Sequence, residues 1–208
     1  MADSFQRRSG RPRIASREML ADAAAELFVE QTYAGTTVDD IAKRAGISRA
    51  TFFNYVDTKS DLLWITVDDA LEALPRFLAE PDLVLPPMTA VLSAVTDLSR
   101  TITAGHVPLV LTQVEVIGAD AELYASALPR FFNAVGQIAA AISERSGDDS
   151  ASLMVQSASA AVVAALVSAV RVWAACGVRR GPLYPLVHEA LSPVCAGYSS
   201  VVVRRVEW

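Results

Sequence analysis

The chain has 208 residues, 52% hydrophobic and 20% charged, with ten glycines and ten prolines. That balance excludes a disulfide mini-protein, a collagen-like repeat and a disordered chain, and its few chain breakers leave room for long helices. The net charge of −5 argues against a protein that coats nucleic acid, but residues 1–60 hold nine Lys/Arg against eight Asp/Glu and the rest nine against fifteen. A basic tip on an acidic body suits contact with a polyanion at one end only.

Residues 1–15 are polar and arginine-rich and are expected to form a flexible basic arm. The opening carries no apolar run of a secretory signal. Cys176 and Cys195 are expected to be reduced, small buried hydrophobes, which fits a cytoplasmic location. Leu20, Ala23, Ala24, Leu27 and Phe28 recur at helical spacing, predicting a first helix capped by Ser16 and broken at Tyr33-Ala34-Gly35. Thr37-Val38-Asp39-Asp40 reads as a capping box with Asp in place of Glu. It opens a short second helix carrying Val38, Ile41, Ala42 and Ala45 on one face, which Gly46 stops. Ser48 caps a third helix to about Tyr55, with Phe52 and Val56 in the core.

Thr58 and Asp61 predict another capping box, opening a fourth helix with Leu63, Val67, Ala70, Leu71 and Leu74 on one face and Pro75 as a kink. Past Pro81, Pro86 and Pro87, five more helices are expected, at 88–104, 107–118, 120–146, 149–177 and 182–206. Ser150 to Val170 is uncharged and long enough to span a bilayer. Its many Ser and Ala residues predict a helix packed in an interface instead, with no membrane contact. The fold class is therefore all-α. A helix-turn-helix head is expected over residues 16–57, followed by a larger helical body over residues 58–208.

Two short helices joined by three or four residues, with Ala42 at the crossing and Gly46 in the turn, are the helix-turn-helix layout. Such a layout can project the N-terminal side chains of its second helix into a major groove. Arg49 opens that helix and can grip guanine O6 and N7 in bidentate fashion; Ala50 and Phe53 can meet thymine methyls. Thr37, Thr51, Asn54 and Tyr55 can donate to phosphates, and Lys59 offers a cation beside a helix N-terminus. Arg11 and Arg13, flanking Pro12, suit a narrow minor groove, or else a solubilising tail.

Thr36 to Val56, then Thr58-Lys59-Ser60-Asp61-Leu62-Leu63, resemble the signature of the TetR family, as do the preceding helix and the Gly10-Arg11-Pro12-Arg13 arm. The resemblance implies a homodimeric helical transcriptional regulator, usually a repressor that a small ligand releases from a double-stranded DNA operator. Two-fold symmetry then sets the recognition helices about 34–36 Å apart, or a multiple of one DNA turn. Phe52-Phe53 stands where family members usually carry Leu-Tyr, so the hydroxyl that often meets a phosphate is missing at Phe53. Helices 149–177 and 182–206 are expected to form the dimer interface, with a Ser/Ala-rich face over 157–169.

An effector pocket would be apolar with a few polar anchors. Candidate lining residues are Leu92, Val95, Leu111, Val114, Phe131, Phe132, Val135 and Trp173, with Arg100, His106, Gln113, Glu115, Tyr124 or Arg130 as anchors. Leu123–Pro129, Arg145-Ser146-Gly147 and Trp173 resemble the C-terminal layout of mycofactocin-type regulators, which implies a hydrophobic or amphipathic effector such as a long-chain acyl-CoA. An aromatic or drug-like compound is the alternative. His106 and His188 have no Cys or carboxylate at ligand spacing, so no metal is expected, nor any cofactor. An enzyme is not expected: no Gly-x-Gly occurs, and Ser48 in Gly46-Ile47-Ser48-Arg49-Ala50 is better placed as a helix cap than as a nucleophile. A sequence-indifferent architectural DNA protein is the other competing class, disfavoured by the acidic body.

Overall fold

A computed structural model describes residues 16–103, 120–177, 180–200 and 202; the expected helix at 107–118 lies outside them. Eight α-helices are described: α1 Arg17–Gly35, α2 Val38–Arg44, α3 Arg49–Phe52, α4 Ile65–Ala79, α5 Pro87–Thr101, α6 Asp120–Ser146, α7 Leu153–Ala175 and α8 Tyr184–Tyr198. A 3₁₀ turn, Ser60–Leu63, precedes α4. The described residues include no strand.

The apolar stripe of α1 packs as expected: Leu20, Ala23, Ala24, Leu27 and Phe28 are buried. Ser16 caps the helix by accepting the Met19 N–H at 3.1 Å. The break comes two residues before the expected one. Gln31 and Thr32 leave helical dihedrals, and Thr32 sits at φ 68°, ψ 162°, a conformation that costs a β-branched residue about 1–3 kcal/mol. Its carbonyl accepts the Thr36 hydroxyl at 2.8 Å, and Thr36 is buried at the turn.

Two hydrophobic cores divide the chain. The first joins α1 to α3, the 3₁₀ turn and the start of α4, from Leu20 to Ile65, and includes Phe52 and Val56. The second runs from Leu74 in α4 through α5, α6, α7 and α8. Helix α4 belongs to both. It begins at Ile65, not Thr58: the Thr58–Asp61 box forms, with Thr58 N–H donating to Asp61 Oδ2 at 2.8 Å, but it opens the 3₁₀ turn. The turn ends at Trp64, which caps the following helix without a side-chain bond. Pro75 is exposed within α4.

In the body, α8 packs on α7 and α5, while α4 lies on α5 and α6. Helix α7 is the one helix among the described residues long and apolar enough to cross a membrane, and it packs in this bundle. Only 33% of its most apolar stretch is buried. Ala158, Ser159, Val162 and Val163, within the expected interface face, are buried in the monomer's own core. The exposed positions over the second half of the helix are Ala164, Val167 and Ser168, within that face, and Arg171, Val172 and Ala175 beyond it. Cys195 is buried, which pushes its thiol up to about 11, whereas Cys176 is exposed, contrary to expectation; both are free.

Candidate nucleic-acid interface

The helix-turn-helix is held by local hydrogen bonds that the sequence dictates. In the Thr37 box, the Thr37 hydroxyl and N–H both donate to Asp40 Oδ2, at 2.6 and 3.0 Å, and the Asp40 N–H donates back to Thr37 Oγ1 at 3.2 Å. The bonds from Thr37 hold the Asp40 carboxyl below the ordinary aspartate range. At the other end of α2, Gly46 N–H donates to the Lys43 carbonyl at 3.1 Å and Ile47 N–H to the Ala42 carbonyl at 2.9 Å. That pair is a Schellman closure, and it needs the left-handed φ of 72° that Gly46 supplies. Ile47 packs against the head core and Ala42 is buried at the crossing. Arg44 fixes the helix pair to α1 through Glu26 at 2.9 Å and Glu30 at 2.6 Å.

Helix α3 is shorter than expected: it ends at Phe52, and a tight turn continues to Tyr55. Ser48 caps it by accepting the Thr51 N–H at 3.0 Å. Arg49, Ala50, Phe53 and Asn54 are exposed, at offsets 0, 1, 4 and 5 along one outward face. The Arg49 guanidinium is held from two sides, with Nη1 donating to Asp39 Oδ2 at 2.9 Å and the Phe53 ring 5.5 Å from its centre. Thr37 and Thr51 flank this face, but both hydroxyls are engaged, in the capping box and with the Ser48 hydroxyl at 2.8 Å. Tyr55 is half-buried against the head core.

Lys59 is turned inward. Its ammonium donates to the carbonyls of Tyr33 at 2.7 Å and Thr36 at 3.0 Å, with the Tyr33 ring 3.9 Å away. It thus closes the C-terminus of α1. Arg11 and Arg13 lie outside the described residues.

Arg130 is one of the ties between head and body. Arg130 on α6 forks onto Asp68 of α4, with Nε and Nη2 donating at 2.6 and 2.7 Å, and Nη2 also reaches Asp61 at 3.1 Å. Its Nη1 donates to the Ser126 carbonyl at 2.9 Å, and the Trp64 indole N–H donates to the Ser126 hydroxyl at 2.7 Å. Burial alone would raise the Asp61 carboxyl, but bonds from Thr58 and Arg130 hold it below the ordinary range. Arg145, fifteen residues on, donates to the carbonyls of Leu78, Pro81 and Asp82 at the far end of α4. Helix α6 therefore grips α4 at both ends.

Of the expected effector residues, Val95, Val135 and Trp173 are buried, Leu92 and Phe131 are half-buried, and Arg100, Tyr124 and Phe132 are exposed. Trp173 is committed to the α7–α8 connection, its indole N–H donating to the Gly181 carbonyl at 2.7 Å. Arg100 pairs with Asp97 at 3.1 Å and stacks on Tyr184. His106, Leu111, Gln113, Val114 and Glu115 lie outside the described residues. The described residues form, among others, a cleft of about 560 Å³ between head and body, which Arg130 lines, and an apolar one of about 300 Å³ between α4 and α6. Among the described residues, none of the other expected effector residues lines either cleft. Sequence reasoning missed Asp39 as the partner of Arg49, and it did not foresee that Arg130, which lines the cleft between head and body, also ties α6 to α4. Asp39 is ten residues from Arg49 across the turn, a placement the helix-turn-helix itself implies; the Arg130 contacts span 62 and 69 residues and leave no local signal.

Family comparison agrees with this geometry. The model of the TetR family of bacterial regulatory proteins matches residues 20–63, and that of the MftR C-terminal domain matches residues 85–199, more than half of the chain. The chain belongs to the TetR family. It is a helix-turn-helix transcriptional regulator with an MftR-type C-terminal domain. This regulator is 28% identical over 169 residues to MftR of Mycobacterium tuberculosis, a protein named for the regulation of mycofactocin biosynthesis, covering 80% of the chain and 83% of that relative. It is 43% identical over 63 residues to EthR of M. tuberculosis, covering 30% of the chain and 29% of EthR. Among solved structures, FadR of Thermus thermophilus, a TetR-family repressor in complex with lauroyl-CoA, shares the fold with a TM-score of 0.55 at 23% identity. That match covers 92% of this chain and 98% of FadR.

Proposed function

We propose that this TetR-family regulator is a repressor that binds a two-fold symmetric DNA operator as a homodimer and releases it when a small hydrophobic or amphipathic effector enters the body. The observation that carries the reading is the outward face of α3. Arg49, Ala50, Phe53 and Asn54 stand exposed together on a helix pair closed at every end by its own caps. In this reading Arg49 grips a guanine, Ala50 and Phe53 meet thymine methyls, and Asn54 and Tyr55 donate to phosphates. Thr37 and Thr51 flank the same groove, Arg11 and Arg13 follow the minor groove, and Lys59 supports the interface from behind. The head as far as about residue 57 reads DNA; the rest of the chain binds effector and dimerises.

The outward stripe of α7, from Ala164 to Ala175, supports dimerisation: it is small and largely apolar, and it is uncovered in the monomer. The lauroyl-CoA held by the Thermus protein supports a long-chain acyl-CoA as the first effector to test. Helix α4 carries the signal, because it runs from the head core into the body core. The effector weakens DNA binding only by its differing affinity for two head arrangements. The test is fluorescence anisotropy of DNA flanking the protein's own gene, titrated with and without lauroyl-CoA. A complex that resists scrambled competitor and dissolves with lauroyl-CoA is expected. A specific complex indifferent to lauroyl-CoA would replace the acyl-CoA with an aromatic or drug-like effector, and no preference over scrambled DNA would count against the head assignment.

A further inference from the structure

We propose that Asp39 is a specificity-determining positioning residue: it aims Arg49 at the groove and penalises DNA sequences that draw Arg49 elsewhere. This rests on the reading of Arg49 as the guanine-gripping residue. An arginine side chain is long and rotamer-rich, and reading a base edge in bidentate fashion requires its planar fork to be presented in one orientation. Here the guanidinium has two anchors. Nη1 donates to Asp39 Oδ2 at 2.9 Å, and the Phe53 ring lies 5.5 Å from the guanidinium carbon. Nε and Nη2 make no hydrogen bond among the described residues, which leaves one paired-donor edge for an acceptor pair such as O6 and N7 of guanine.

The carboxylate also acts against the wrong partner. The Asp39 and Arg49 side chains are 65% and 58% exposed, so the pair stands on the surface that meets the polyanion. An Arg49 that swings to a phosphate leaves Asp39 bare beside the DNA backbone, and the repulsion falls on non-cognate complexes. A carboxylate at this position therefore lowers non-specific affinity while the matched complex keeps it neutralised.

The test measures affinities of the full-length protein and of Asp39→Asn, Arg49→Ala and the double variant for the operator, each of its single-base variants, and scrambled DNA. Both side chains are more than half exposed, and circular dichroism with melting temperature verifies that each variant keeps the fold. Asp39→Asn is expected to raise affinity for scrambled DNA about twofold to fivefold, the size of one exposed ion-pair interaction. It is also expected to cut the preference at one base pair from about tenfold to below about threefold. Preferences elsewhere stay unchanged, and adding Asp39→Asn to Arg49→Ala changes no preference further. If Arg49→Ala abolishes the preference at that base pair and Asp39→Asn leaves it intact, the role of Asp39 is overturned while the Arg49 reading stands. If Arg49→Ala leaves every preference intact, the Arg49 reading itself fails, and this inference with it.

Discussion

Replacing Arg130 with Met keeps an unbranched apolar stem but removes the guanidinium, and this substitution probes the joint between head and body. Arg130, Asp61 and Asp68 are only 17%, 24% and 19% exposed, so water cannot easily take over what the guanidinium supplies. The variant loses three charge-assisted bonds to carboxylates and one to the Ser126 carbonyl, and it strands two half-buried carboxylates. Breaking a fully buried pair costs about 3–5 kcal/mol, and residual exposure reduces this to about 2–3 kcal/mol. For a chain of this size, 1 kcal/mol shifts the melting point by about 2–4 °C, so a fall of about 5–10 °C is expected. Thermal unfolding followed by circular dichroism measures it, and a double-mutant cycle with Asp68→Asn isolates the pair. The Trp64 indole, bonded to Ser126, should report the same loosening by fluorescence. A melting point within 1 °C of wild type, or no coupling in the cycle, would refute the claim that Arg130 locks α6 to the head.

Thr32→Gly should stabilise the protein slightly, because relief of about 1–3 kcal/mol of positive-φ strain exceeds the added chain entropy of glycine and the loss of the exposed Gly35 N–H bond to Thr32 Oγ1; a lower melting point would show that the strain is the smaller effect. Lys59→Met should cost about 1–2 kcal/mol by removing two ammonium–carbonyl bonds and a cation–π contact. It should leave the salt dependence of DNA affinity unchanged, whereas a loss of about one unit of log–log slope at unaltered stability would make Lys59 a phosphate contact. The depressed carboxyls of Asp40 and Asp61 stabilise the fold above the ordinary aspartate pKa, and this contribution is lost as pH falls through their lower folded values. Melting temperature should therefore drop below about pH 4, and less steeply in Arg130→Met; identical acid profiles would contradict the Asp61–Arg130 link.

Local rules made the head legible. The stripe of α1, the Thr37 box, the Gly46 turn and the Ser48 cap are each decided within a few residues, and all four form. Two of the places where local reading slipped have local causes as well. The Thr58–Asp61 box is a true capping box, but it opens a 3₁₀ turn because Leu62, Leu63 and Trp64 must all face the head core. The break in α1 comes early because Thr36, buried, bonds back to Thr32. In the body the apolar residues outnumber the positions that one face can claim. Phe131 and Phe132 are adjacent, yet only Phe131 packs against the core while Phe132 stays 61% exposed. Lys59 and Arg130 carried a charge whose partners lie on other helices, and composition alone could not say that both point inward.

The measurement that bears most directly on the central claim is selection of bound duplexes from a random-sequence library by the full-length protein, with the recovered DNA sequenced. The account predicts a two-fold symmetric consensus whose half-sites lie about one helical turn, or a multiple of it, apart, with a guanine that disappears from the consensus of Arg49→Ala. Recovery of duplexes without a shared motif, or of a consensus that Arg49→Ala leaves untouched, would contradict it.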